Sequence, residues 1–490
     1  MRRVVTLRLV LAGTAAAFMM LTDGATTMGA ARAAQPVVNP SVPVSRFQRE
    51  LAHWGYVWQL GTERVTDLNQ GYCKGEVYSA MWPNPQAPTI VTHMPEVQGQ
   101  APNTNSEVTW RLRQDEAAVI IGVTPPPMAY FSFDLTMLKG SLATGPLLWV
   151  SVGDPVSNRT VRTTGSTPYD RLFALVITGN RRTQDEVNAM LAAAGLGGAT
   201  NNVPIPPAMF RLGLDGASDE FFLGTRTAVP ESGYEQARDE YLDAPPLTVF
   251  RVRPKSNSGD ESQPVYALDP LPVPRLRVAG TGTTELDLNP TLQLLRRRII
   301  DSYPGYDAHD IVVERAFEES YPGLQENLLI DPPTLGVGAY SYDARYLMSP
   351  NFTLADGSFI VAYGTNHVAT GKASYASIAV YADPEAALTL ETKHHLELQG
   401  SARDFIPDQQ NADSFYAWSF SRAGSSGPTG LHVTPLAATS TIFCKPYGTE
   451  RHVNMSTVRF VARAYVEPAT KSRPALSELL LDRLLLFTPK

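Results

Sequence analysis

Between two apolar runs, the segment Tyr363-Gly364-Thr365-Asn366-His367-Val368-Ala369-Thr370-Gly371-Lys372-Ala373-Ser374-Tyr375 gathers an imidazole, an ammonium, two phenols and several hydroxyl or amide groups. A loop of this composition, held at both ends by rigid sheet, is suited to proton transfer. His367 is the candidate base, Lys372 or Tyr375 the donor that stabilises developing charge, and Asn366 lies beside them. The same residues also suit a polar hairpin loop that serves no substrate.

Other constellations are weaker. The chain contains no Gly-x-Ser-x-Gly elbow, no His-Glu-x-x-His pair, no Gly-x-Gly-x-x-Gly and no paired Cys motif. Gly364 to Lys372 has two residues too many for a phosphate loop, and Ala373 stands where Ser or Thr would meet magnesium. Glu285-Leu286-Asp287-Leu288-Asn289 alternates oxygen-bearing side chains as a calcium loop does, but Pro290 and Arg296 occupy the places that need Gly and Glu. His394 and His395 fall in an expected helix, where His394 shares a face with Leu390 and Leu398. His309 sits between Asp307 and Asp310 in a loop. None of these comes with a full ligand set, so neither metal nor cofactor is expected. Trp54, Tyr56, Trp58, Tyr72, Tyr78 and Trp82 form an aromatic-rich stretch that would stack on sugars if exposed and fill core and loop space otherwise.

The two cysteines are Cys73 and Cys444. In an oxidising compartment an even pair is most simply a disulfide, and the alternative of a thiol nucleophile needs a His partner that spacing does not supply.

The elements that position these residues are mostly strands. Ala118-Ile121, Tyr130-Leu135, Leu172-Ile177, Leu247-Val252, Phe359-Tyr363, Tyr375-Tyr381 and Val458-Val466 are short, aromatic or β-branched, and bounded by turn residues. Helices are expected from Gln184 to Ala194, where Thr183 and Glu186 make a capping box and Gly195 the stop, and from Asn289 to Ile300. Two more are expected from Pro384 towards Gly400 and from Pro474 to Leu486. The class is α+β: mainly antiparallel sheet in two lobes with a few peripheral helices. Asp115 to Pro125 followed by Tyr130-Phe131-Ser132 resembles Asp356 to Asn366 followed by Tyr375-Ala376-Ser377. Shared hairpin chemistry accounts for this, and so do two related sheet domains.

Arg2, Arg3 and Arg8, an apolar run to Leu21 and the small residues Ala31 and Ala33 read as a secretory signal covering residues 1–33. Its removal leaves 457 residues and takes away four basic side chains and one acidic, moving the formal charge from −7 to −10. An acidic chain without a basic cluster is a poor partner for nucleic acid. The apolar run is too short and too small-residued for a stable membrane span. Pro and small polar residues dominate Ala244 to Val278, so a sheet-rich domain over 34–255, a linker over 256–278 and a second sheet-rich domain with a C-terminal helix over 279–490 are expected. The functional expectation is a secreted or periplasmic protein that binds a small molecule or glycan. A hydrolase or lyase with its site between the two halves is the alternative.

Overall fold

The computed structural model describes residues 38–105, 108–141, 147–255, 264–315, 341–383 and 385–490. The expected signal and the polar centre of the expected linker lie outside these residues. Residues Val38–Lys490 cluster as one compact unit, and among the described residues no helix is long and apolar enough to cross a membrane.

Four sheets carry the fold, mostly antiparallel. In the first half an outer sheet runs Tyr56–Leu60, Leu247–Pro254, Ala117–Val123, Leu172–Thr178, Thr200–Pro204. An inner sheet runs Thr62–Val65, Thr89–His93, Glu220–Pro230, Met128–Gly140, Leu147–Ser151. The second half repeats both orders. Its outer sheet runs Tyr306–Ile311, Arg483–Pro489, Phe359–Thr365, Phe415–Ser421, Val433–Pro435, and its inner sheet Glu314–Arg315, Ala344–Met348, Thr457–Tyr465, Tyr375–Ala382, Leu388–His394. Even the one parallel pair of each outer sheet falls at the same place, Leu172–Thr178 with Thr200–Pro204 and Phe415–Ser421 with Val433–Pro435. Turn chemistry fixes single hairpins and not the order of ten strands, so the resemblance between Asp115–Ser132 and Asp356–Ser377 reflects a topology used twice.

Period-two alternation divides each inner strand between two environments. Phe131, Phe133, Leu135 and Met137 enter a core shared with Ile120, Phe173 and Leu175 of the outer sheet. The residues between them, Tyr130, Ser132 and Asp134, face the other way. Helices Ser41–His53 and Arg181–Ala193 cover the far side of the outer sheet through Phe47, Leu51, Val187 and Leu191. Helix Asn289–Asp301 does the same in the second half through Leu292, Leu295 and Ile299.

Helix Arg181–Ala193 starts earlier than its capping box suggests. Asn180 is the N-cap, accepting from the amides of Arg182 and Thr183, while Thr183 donates to the Asp115 carbonyl. Two expected helices are strands. The C-terminal run folds as a short 3-10 turn, Leu476–Glu478, and then strand Arg483–Pro489. That strand lies between two neighbours with Leu484 in one core and Leu485 and Phe487 in another, so both faces are apolar and periodicity alone cannot separate it from a buried helix. The stretch expected to run as a helix towards Gly400 is strand Leu388–His394 followed by a single turn, His395–Leu398. Pro384 itself lies outside the described residues. The Pro-rich stretch is likewise held where it is described: Asp115 accepts from Val265, and Arg277 reaches Asp154 and Asp343.

Candidate functional site

Strand Phe359–Thr365 delivers the chain into the polar loop, which closes on itself. Asn366 Oδ1 accepts from the amides of Val368 and Ala369, the His367 carbonyl accepts from Lys372 and Ala373, and Gly371 supplies the left-handed turn at φ +79°. The tip of the loop at Ala369 and Gly371 is exposed, but the side chains of Asn366, His367, Lys372 and Tyr375 are buried. His367 is 3% exposed. Its Nδ1 lies 3.0 and 3.1 Å from the two oxygens of Glu285, and its Nε2 lies 3.5 Å from Asp482 Oδ2. Glu285 also accepts from Thr365, Thr370 and the Leu480 amide, and Asp482 accepts from the Tyr416 hydroxyl at 2.5 Å. Burial alone would lower the imidazole pKa, but the charge of Glu285, helped by Asp482, outweighs it and raises the group to about 10. At neutral pH His367 is therefore an imidazolium held between two carboxylates and has no lone pair to act as a base.

Lys372 is equally engaged. Its Nζ donates to Glu478 at 2.7 Å, Glu467 at 2.9 Å and Thr281 at 3.1 Å. Asn366 Nδ2 donates to the His395 carbonyl. Tyr375 is buried, and its hydroxyl accepts from Asn84 at 2.9 Å. Of the four candidates, Tyr375 is the one that joins the polar constellation between the two inner sheets. His395 packs edge-on against Tyr375, with burial pushing its pKa down to about 4; His394 is paired with Glu397; and His309 lies near Thr488 at an exposed strand. Among the described residues no three His, Cys, Asp or Glu side chains converge to hold a metal.

The larger constellation forms where the two inner sheets meet. Ladder register fixes it: Tyr130, Ser132 and Asp134 stand opposite Ala228, Arg226 and Gly224, while Tyr375, Ser377 and Ala379 stand opposite Tyr465, Arg463 and Val461. A Tyr-x-Ser on one strand with Arg across from the Ser therefore occurs once in each half. The two copies touch, with the Tyr130 and Tyr465 rings 4.9 Å apart, and within the second copy the Tyr375 and Tyr465 rings lie 5.3 Å apart. Three residues beyond each Arg stands a Val in the left-handed region, Val229 at φ +43° and Val466 at φ +37°. A β-branched side chain is strained there, and both are buried in one cluster with Tyr130, Tyr375 and Tyr465.

The copies differ in what surrounds the Arg. Arg226 Nη1 donates to the hydroxyls of Tyr465 at 3.1 Å and Tyr346 at 3.4 Å. Arg226 and Tyr346 are half-buried, whereas Asp134, Asp343 and Tyr130 around them are buried. Asp343 accepts from Arg277 at 2.8 Å and from Tyr130 at 3.3 Å, and Asp134 accepts from Ser151 at 2.8 Å. Burial pushes Asp343 up to about 8 in spite of Arg277, with Asp134 and Asp154 adding like charge. Burial likewise pushes Asp134 up to about 6 against the pull of Arg226. The register places Ala379 where Asp134 stands and, counting back from Thr89 and Tyr346 across their Arg partners, Gln86 where Asp343 stands. Both carboxyls thus belong to the Arg226 side alone. In the other copy Arg463 is capped by the Trp82 carbonyl at 2.9 Å.

Sequence reasoning noticed Tyr-x-Ser in both halves but not Asp134, Arg226, Asp343 or Tyr346. Asp134 alternates with Tyr130 and Ser132 on one strand face, and that pattern was the available signal; the partners come from strands far away in the chain. No family model and no curated protein matches this chain. Among solved structures it is similar to the VPA0106 protein from Vibrio parahaemolyticus, with 11% sequence identity and a TM-score of 0.37 over 86% of this chain and 99% of that one. A likeness of that size bears on neither fold nor chemistry.

Proposed function

We propose that the protein acts outside the cytoplasm and binds a small hydroxyl-bearing molecule, a sugar or sugar acid being the fitting class, at the half-buried Arg226 and Tyr346. The observation that supports this reading is the half-buried Arg226, bridged to two phenol oxygens in the midst of buried Tyr, Ser and Asp side chains. Sugars are recognised by such a combination, with aromatic faces for their C–H surfaces and fixed donors and acceptors for their hydroxyls.

Differential scanning fluorimetry and calorimetry against monosaccharides, oligosaccharides and uronic acids test it. A true ligand at a hundred times its Kd stabilises the fold by about 2.7 kcal/mol. Arg226→Ala and Tyr346→Ala are expected to weaken that binding at least tenfold while the proteins stay folded. Binding that survives both substitutions places the site elsewhere. For the compartment, amino-terminal sequencing of the exported protein is expected to begin at Ala34; an intact Met1 in a cytoplasmic fraction would contradict export.

A second reading, hydrolase or lyase, draws on the two carboxyls. Asp343 near 8 and Asp134 near 6 provide a protonated and an ionised carboxyl at neutral pH, the pairing that acid-base cleavage uses. If a ligand is turned over, Asp343→Asn should abolish turnover and leave binding within a few-fold. Turnover unaffected by Asp343→Asn removes this reading.

A further inference from the structure

The repeat that leaves Arg226 half-buried buries its counterpart Arg463, and what covers Arg463 is a piece of this chain. After helix Leu68–Lys74 the backbone crosses onto the inner face of the second half's inner sheet. Ser79 and the Ala80 amide donate to the Ala386 carbonyl, and the Trp82 amide donates to the Ala387 carbonyl. Beyond Trp82 the recognition is by side chains. Arg463 donates to the Trp82 carbonyl at 2.9 Å, Tyr381 and Thr389 to the Pro83 carbonyl at 3.0 and 2.8 Å, and Asn84 donates to Tyr375 and Ser377 at 2.9 and 3.3 Å. Five sheet side chains thus converge on three consecutive residues, so the segment is held by side chains and is not a strand added to a ladder.

Two further observations mark the segment as an occupant. Met81 and Trp82 are consecutive non-glycine residues in the left-handed region, at φ +57° and +54°, a conformation that persists only where the surroundings impose it. Arg463, 5% exposed, keeps its Nη1 without a hydrogen bond, so the sheet face holds a buried donor that the segment does not use. The anchorage comes from next door: Cys73 is bonded to Cys444 and is buried with Ala80, Ala386 and Leu388.

We propose that Tyr375, Ser377, Tyr381, Thr389 and Arg463 form a binding site for a peptide segment that presents backbone carbonyls in a bent conformation, and that Trp82-Pro83-Asn84 occupies it in cis, held there by the Cys73–Cys444 bond. This does not depend on what the Arg226 site binds, so failure of one leaves the other standing.

The probe is a fluorescent peptide of residues 80–85, Ala-Met-Trp-Pro-Asn-Pro, titrated by anisotropy into the full chain. In the wild type the internal segment competes at high effective concentration and binding is expected to be weak. In Cys73→Ser/Cys444→Ser the peptide is expected to bind at least tenfold more tightly, and adding Arg463→Ala should return it to the wild-type level. Should the cysteine variant fail to fold, Asn84→Ala keeps the disulfide and removes two of the segment's bonds, and the same gain is expected there. The proposal is overturned if the folded variants bind the peptide no better than the wild type, or if the gain persists with Arg463→Ala.

Discussion

Replacing His367 with Ala is expected to lower the free energy of unfolding by about 3–5 kcal/mol, the scale seen when one partner of a buried ion pair is removed. The imidazolium is the positive charge between Glu285 and Asp482, which are 3% and 4% exposed. Without it two buried carboxylates face a cavity. Urea titration of wild type and variant at pH 7 measures the loss, and the pH dependence identifies its cause. Because folding raises the His367 pKa from about 6.5 to about 10, its contribution is fully present below pH 6.5 and is lost as pH rises towards 10. The wild-type midpoint should fall across that window. The variant should lack this decline. A loss under about 0.5 kcal/mol would mean that His367 behaves as an exposed loop residue and that the packing described above is incorrect.

Removing the covalent link between Cys73 and Cys444 is expected to cost about 2–5 kcal/mol. The bond joins residues 371 apart in sequence, so it constrains nearly the whole unfolded chain, and both cysteines sit in a cluster with Tyr72, Leu388 and Met455. Serine at these positions would also place hydroxyls among apolar side chains. Thermal and urea unfolding of Cys73→Ser/Cys444→Ser against the oxidised wild type measures the cost. Alkylation of the unreduced, unfolded wild type should label neither cysteine, and labelling of either would rule out the bond. The variant should also become more susceptible to proteolysis around residues 79–86, since the chain there is held to the second inner sheet by side-chain hydrogen bonds in addition to the bond at Cys73.

Much of the fold was legible in the sequence because it rests on local patterns. The seven strand runs and the helices opening near Thr183 and at Asn289 carry their own period and boundaries, and the structure places an element of the expected type at each. Two cysteines in one chain have one intramolecular pairing open to them, and that bond is present. Tertiary structure decided whatever depends on a second segment. Arg483–Pro489 is a strand because neighbours on both sides complete its hydrogen bonds and both its faces are buried, which an apolar run cannot announce. His367 reads as an available base from its own loop, and only the approach of Glu285, 82 residues earlier, and Asp482, far downstream, turns it into a buried cation. Asp134 and Asp343 are ordinary acids in the sequence. Their displaced pKa values arise from desolvation where the inner sheets meet, with a neighbouring Arg opposing the shift in each case, and desolvation is a property of the assembled layers that no spacing along the chain encodes.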